Sequence, residues 1–232
     1  MVPFPHSPPA MRAALDALVR ADPRLAAVEA AAGPLPWRVR AGGFPGLLQV
    51  IMGQQISSAA AAAIWGRLAA LPGALAPSGL LALPDDALRA AGLSRPKVGH
   101  ARALATAFED GRLSAAGLAA MPDEAAVAAI TAVRGLGPWT AEVYLLFAEG
   151  RPDVCPAGDI AVAGAAAALL GLPARPDPRA LRALAEAWRP SRALAARLLW
   201  HHWRWLTGRP ALDDLTRANL SRPLKVCAQM KT

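Results

Sequence analysis

A chain of 232 residues with 54% apolar content has the material for one domain or for two small lobes sharing a core. Aromatics are only 5%, so alanine and leucine must do most of the packing, and the class reads as all-α. The net charge of +8 favours a polyanionic partner such as nucleic acid, and no apolar run is long enough to cross a bilayer.

The first nine residues carry four prolines and lack a signal-peptide core, which points to an intracellular, cytoplasmic chain. Met11 to Val28 reads as one helix, with Leu15, Leu18, Val19 and Leu25 near helical spacing. A break at Gly33–Pro36 follows, and a short strand nearby is left open. Pro45 to Gly53 is a short apolar helix, interrupted by Gln54-Gln55-Ile56-Ser57. Ser57 or Ser58 can cap the alanine-rich helix that runs on to about Leu71. Pro72 to Ser78 reads as loop, and Pro84-Asp85-Asp86 opens a small helix. Ser94-Arg95-Pro96 starts another, reaching about Asp110. Pro122-Asp123-Glu124 opens a helix with its acids on the positive end of the dipole. Pro138 to Ala148, Asp159 to Leu170, Arg179 to Trp188 and Ser191 to Leu206 are the later helices. From Arg189 onward nine basic residues face two acidic ones, Asp213 and Asp214, so the basic surface is weighted to the C-terminal region.

The most informative stretch is Val133-Arg134-Gly135-Leu136-Gly137-Pro138-Trp139-Thr140-Ala141. Two glycines flank one apolar residue, and a helix begins at once with proline in its first turn. A turn without Cβ atoms lets backbone approach another molecule closely. The unpaired amides of the next helix lie at the positive end of its dipole, which suits a phosphate. An ordinary αα-hairpin turn is the alternative reading.

This stretch resembles the hairpin of the helix-hairpin-helix (HhH-GPD) DNA glycosylase superfamily. Phe44-Pro45-Gly46-Leu47 through Gly53-Gln54-Gln55-Ile56-Ser57 is similar to the segment before the DNA-inserting loop of its 3-methyladenine DNA glycosylase II branch. With Asp159 the resemblance covers about residues 44 to 205. It implies an all-α, two-lobed fold with the active site in the cleft between the lobes. Residues 1–43 would pack on the C-terminal lobe, 44–147 would form the central lobe with the hairpin, and 148–232 the lobe carrying the catalytic aspartate and basic tail.

The resemblance also implies roles. Asp159, which alone would read as a helix N-cap, becomes the catalytic carboxylate. Trp139 stands where strand-cutting relatives carry a Schiff-base lysine; an indole cannot form an imine, but it offers a face to an extruded base. Val143, Tyr144 and Ser191 fall on base-pocket positions where aromatics are common. Valine at 143 and serine at 191 suggest a wider pocket that tolerates bulkier or neutral lesions such as hypoxanthine or etheno-adenine. Gly135, Leu136, Gly137, Thr140, Gln54, Gln55, Ile56 and Ser57 would contact DNA, with Gln55 or Ile56 filling the hole left by the flipped base. The main-chain carbonyls of Thr131, Val133 and Leu136 match a site for Na+ or K+.

The implied activity is removal of alkylated bases from double-stranded DNA by a monomeric enzyme that requires no cofactor. Two cysteines, Cys155 and Cys227, cannot supply a four-cysteine iron–sulfur cluster and read as reduced thiols. Glu142, the nearest other carboxylate, is expected to face solvent or pair with an arginine. The adjacent His201 and His202 point about 100° apart and cannot share a metal, and the tryptophans around them read as packing residues. A non-catalytic hairpin DNA-binding protein and a bifunctional glycosylase/lyase remain as alternatives.

Overall fold

A computed structural model describes residues 8–209. The basic tail beyond Arg209, with Asp213, Asp214 and Cys227, lies outside them. All regular structure among the described residues is helical. Chain order gives α1 (Pro9–Ala21), α2 (Ala26–Ala32), α3 (Gly43–Gly53), α4 (Ser58–Ala69), α5 (Pro77–Ala82), α6 (Asp85–Ala90) and α7 (Arg95–Glu109). These are followed by α8 (Ala115–Ala120), α9 (Asp123–Thr131), α10 (Pro138–Phe147), α11 (Ile160–Leu170), α12 (Pro178–Ala185) and α13 (Arg192–Thr207). Single 3-10 turns cover Pro23–Leu25 and Glu186–Trp188.

The helix expected over 11–28 is two helices. Asp22 is extended and accepts from the Arg24 amide, and Pro23 cannot donate into the preceding turn, so the chain restarts there. The 72–78 segment ends inside α5, which begins at Pro77. The stretch 34–42 lies outside the helices and forms no strand among the described residues.

Two hydrophobic clusters organise the chain. One gathers α3, α7, α9 and α10 around Leu47, Leu48, Ile51, Leu104, Ile130 and Tyr144. The other joins α1 and α2 to α11, α12 and α13 around Leu15, Leu25, Val162, Leu181 and Leu198. N-terminal and C-terminal parts are fastened by a buried bond in which the Trp188 indole donates to Asp22 at 2.9 Å. Arg24 and Trp188 together hold the Asp22 carboxyl below its ordinary range, against the opposing effect of burial.

Buried Arg197 of α13 links the clusters. It donates to the carbonyls of Arg38 and Leu146, at 2.7 and 2.8 Å, and lies over the rings of Trp37 and Phe147.

Candidate active site

Asp159 caps α11. Its Oδ1 accepts the amides of Ala161 and Val162 at 2.8 and 3.0 Å. Capping does not exhaust the carboxylate. The Trp200 indole also donates to Oδ1 at 3.0 Å, and the Trp139 indole donates to Oδ2 at 2.9 Å. Oδ1 thus takes three donors and is a fixed anchor. Oδ2 takes one and keeps capacity for a further partner. The side chain is half-buried, and Ile160 beside it is 65% exposed, so the carboxylate sits at an accessible edge of the protein.

The two indoles come from different helices, and Trp200 packs against both clusters. Trp139 stands in the first turn of α10 and packs partly on the first cluster. Trp200 lies in mid-α13, where it packs on Phe147 with ring centroids 5.3 Å apart. Helices α11 and α13 approach closely at Gly164, where a Cβ would fall 2.5 Å from the Trp203 ring. That contact brings Trp200 within reach of the cap of α11. Trp200 is the site residue that sequence reasoning missed, because an indole among leucines on an apolar helix reads as packing.

The hairpin turn lies just before Trp139. Gly135 has φ of 87°, a conformation that favours glycine, and a Cβ there would fall 2.1 Å from His100 Cδ2. Gly137 caps α10 in an extended conformation, and Pro138 follows at the first helical position. Gly135 is exposed and Gly137 half-buried, so the turn presents backbone rather than side chains.

Several expected contacts are corrected. Tyr144 is 1% exposed, and its hydroxyl accepts the Gly43 amide at 2.8 Å; it anchors the core, and the hollow it lines with Gly42, Gly43 and Arg151 includes neither Asp159 nor Trp139. Burial pushes the Tyr144 hydroxyl up to about 12. Val143 is likewise buried in the first cluster. The valine at 143 therefore says nothing about pocket width, and of the two small residues only Ser191 could widen a pocket. Ser191 is half-buried just before α13, and its amide donates to the Trp188 carbonyl at 2.7 Å. Thr140 and the Leu136 side chain are buried, so neither side chain reaches DNA. Gln54 turns inward: its amide donates to Thr140 Oγ1 at 2.9 Å and to the Gly135 carbonyl at 3.2 Å. Gln55, Ile56 and Ser57 are exposed, and Ser57 caps α4 by accepting from the Ala60 amide.

Glu142 does not face solvent. It is buried and pairs with Arg182 at 2.9 Å, and its burial raises its carboxyl above the ordinary value despite that arginine. Cys155 is a buried free thiol pushed up to about 11 by burial, which leaves it unreactive. His201 bonds the Gly33 carbonyl and His202 stacks with Trp205, so both serve packing. No group of three or more histidine, cysteine or acidic side chains that could hold a metal occurs among the described residues.

Comparison with known proteins agrees with this geometry. The HhH-GPD superfamily of base excision DNA repair proteins matches residues 48–190. DNA-3-methyladenine glycosylase 1 of Schizosaccharomyces pombe is 28% identical over 162 residues, covering 66% of this chain and 69% of that protein. The solved structure of DNA-3-methyladenine glycosidase from Bacillus halodurans is 30% identical, with a TM-score of 0.71 over 88% of this chain and 95% of its own. A structure of the S. pombe 3-methyladenine DNA glycosylase with abasic DNA superposes with a TM-score of 0.75 at 24% identity, covering 82% of this chain and 95% of that one. With the hairpin, the capping aspartate and this likeness in place, the chain belongs to the HhH-GPD superfamily of base excision DNA repair proteins.

Proposed function

We propose that this protein is a monofunctional DNA glycosylase that extrudes alkylated bases, such as 3-methyladenine and 7-methylguanine, from double-stranded DNA and hydrolyses the N-glycosidic bond. The observation that carries the reading is Asp159, held by four N–H donors with Oδ2 open and Trp139 beside it. Cleavage of the bond leaves positive charge on the sugar. A carboxylate about 4 Å from that charge contributes roughly 4 kcal/mol at an effective dielectric near 20, or about a thousandfold in rate. Alkylated bases that already carry positive charge leave without a dedicated acid. Oδ2 is the oxygen that faces the sugar or orients the attacking water, because Oδ1 is committed to the cap and Trp200.

Trp139 gives the extruded base a face to stack on while its N–H holds Oδ2. It has no amine, so no imine with the opened sugar forms and the strand stays intact after base release. Hypoxanthine and etheno-adenine are further candidate substrates, resting on the small Ser191 side chain. The hairpin backbone at exposed Gly135 and half-buried Gly137, with the loop at Gln55, Ile56 and Ser57, forms the DNA-facing surface.

The carbonyls of Thr131, Val133 and Leu136 lie at the end of α9 and in the turn, where helical carbonyls lack intrahelical partners, so they suit a Na+ or K+ ion. Val133 already accepts the Leu136 amide at 3.1 Å, leaving one lone pair for such an ion. When bound, the ion supplies positive charge for a DNA phosphate. The proposed setting is a cytoplasmic monomer, associated with the nucleoid in a bacterium.

The test is incubation with methylated DNA, with free bases measured and strands analysed with and without alkali. Released base with intact strands before alkali is the expected result. No released base supports a non-catalytic DNA-binding protein, and breaks without alkali support a lyase.

A further inference from the structure

We propose that Lys97 is a positioning residue that fixes the loop at Gln55 for insertion into DNA. The inference rests on the glycosylase reading above. Lys97 lies in the first turn of α7 and is 9% exposed. Its ammonium makes no ion pair with a described carboxylate; it donates instead to the Met52 carbonyl at 2.7 Å. Met52 is in the last turn of α3, where carbonyls lack intrahelical partners and the dipole is negative. The buried cation thus closes the end of the helix from which the loop springs.

The loop needs such a clamp. Gln55 has φ of 57°, the one non-glycine among the described residues in the left-handed region. Its side chain is exposed, as is Ile56. On one side Gln54 is bound to the hairpin through the Gly135 carbonyl and Thr140 Oγ1. On the other, Lys97 holds the Met52 carbonyl. Met52, three positions before the apex, and Gln54, beside it, are therefore fixed, and the apex itself is offered to solvent. Three residues along α7 from Lys97, His100 lies against Gly135. One helix therefore backs both the loop and the hairpin and holds them in register.

A loop held in shape before DNA arrives loses less entropy on insertion. Removing the clamp should therefore weaken base extrusion while leaving chemistry on an extruded base intact. Lys97→Met keeps the length and apolar stem and removes the donor. Single-turnover release of 7-methylguanine is measured from a paired duplex and from a one-base bulge, where the lesion is already unpaired. The expected result is a loss of roughly tenfold on the paired duplex, the scale of a charge-assisted hydrogen bond, and less than about twofold on the bulge. Affinity for duplex with an abasic-site analogue, which requires no base release, should fall by a similar roughly tenfold, with undamaged duplex unchanged. The Gln55→Ala change should give the same pattern, and the double variant should be no worse than either single one.

Equal losses on paired and bulged substrates, or losses that multiply in the double variant, would overturn the proposal. If Lys97→Met does not fold, Gln54→Leu cuts the other tether and is read against Gln55→Ala in the same way. If the unaltered protein releases no base from any substrate, the glycosylase reading fails, and the abasic-duplex affinities still decide whether Lys97 positions the loop.

Discussion

The first turn of α10 and the rest of that helix differ in what they serve. Trp139, in the first turn, is half-buried and gives its indole N–H to Asp159. Glu142, Val143, Tyr144, Leu145 and Leu146, one turn later, are all buried. One end of the helix reaches Asp159, and the remainder is a beam through the core that holds that end still. A helix buried on nearly every face has no apolar stripe to show which side looks toward Asp159. Position along the helix, rather than face, separates the two regions.

The sharpest way to break this comparison is to alter Asp159. Asp159→Asn should cut single-turnover base release by about a thousandfold. If Oδ1 keeps its three donors, an NH2 group replaces Oδ2 and meets the Trp139 N–H donor to donor. Trp139 emission should shift as a consequence. Unchanged turnover would remove Asp159 from the chemistry.

Next in size is Trp200→Phe, which preserves a ring against Phe147 but removes a donor to Oδ1. Losing one hydrogen bond to a charged group should slow release roughly tenfold, with little change in melting temperature. A rate equal to that of the unaltered protein would make Trp200 a packing residue only.

Tyr144→Phe probes the other end of α10. It leaves the buried Gly43 amide without its acceptor, at a cost of about 1–3 kcal/mol, and should lower the melting temperature by several degrees with base release unaffected. A rate loss out of proportion to the stability change would return Tyr144 to the pocket.

The smallest effect belongs to Glu142→Gln. Burial raises the Glu142 carboxyl in the folded protein above the ordinary 4.5, so the folded state holds that proton more tightly than the unfolded chain. Stability is then lost as pH rises from about 4.5 through the raised value. The Gln variant lacks this dependence and still accepts from Arg182. It should melt about 2 °C above the unaltered protein at pH 7 and level with it in acid. Identical differences at both pH values would contradict the sign.

How far the sequence shows all this varies by residue. Asp159 is legible because one residue type satisfies both a local rule, helix capping, and a motif spacing. The hairpin is legible because glycine and proline have backbone meanings that survive without tertiary context. Gln54 misleads: a polar residue in a loop reads as facing a ligand, but its partners are 81 and 86 residues away. Trp200 is hidden for the same reason, since its role depends on how closely α11 and α13 approach at Gly164. The break at Asp22–Pro23 is carried by capping chemistry, which the apolar periodicity of the flanking residues masks.

The most direct test is a structure of the protein bound to duplex DNA carrying an abasic-site analogue. The account predicts Oδ2 of Asp159 about 4 Å from the anomeric carbon of the extruded sugar, the distance at which its charge matters, with Oδ1 still capping α11 and bound to Trp200. A sugar placed against Oδ1, or held away from Asp159 altogether, would contradict it.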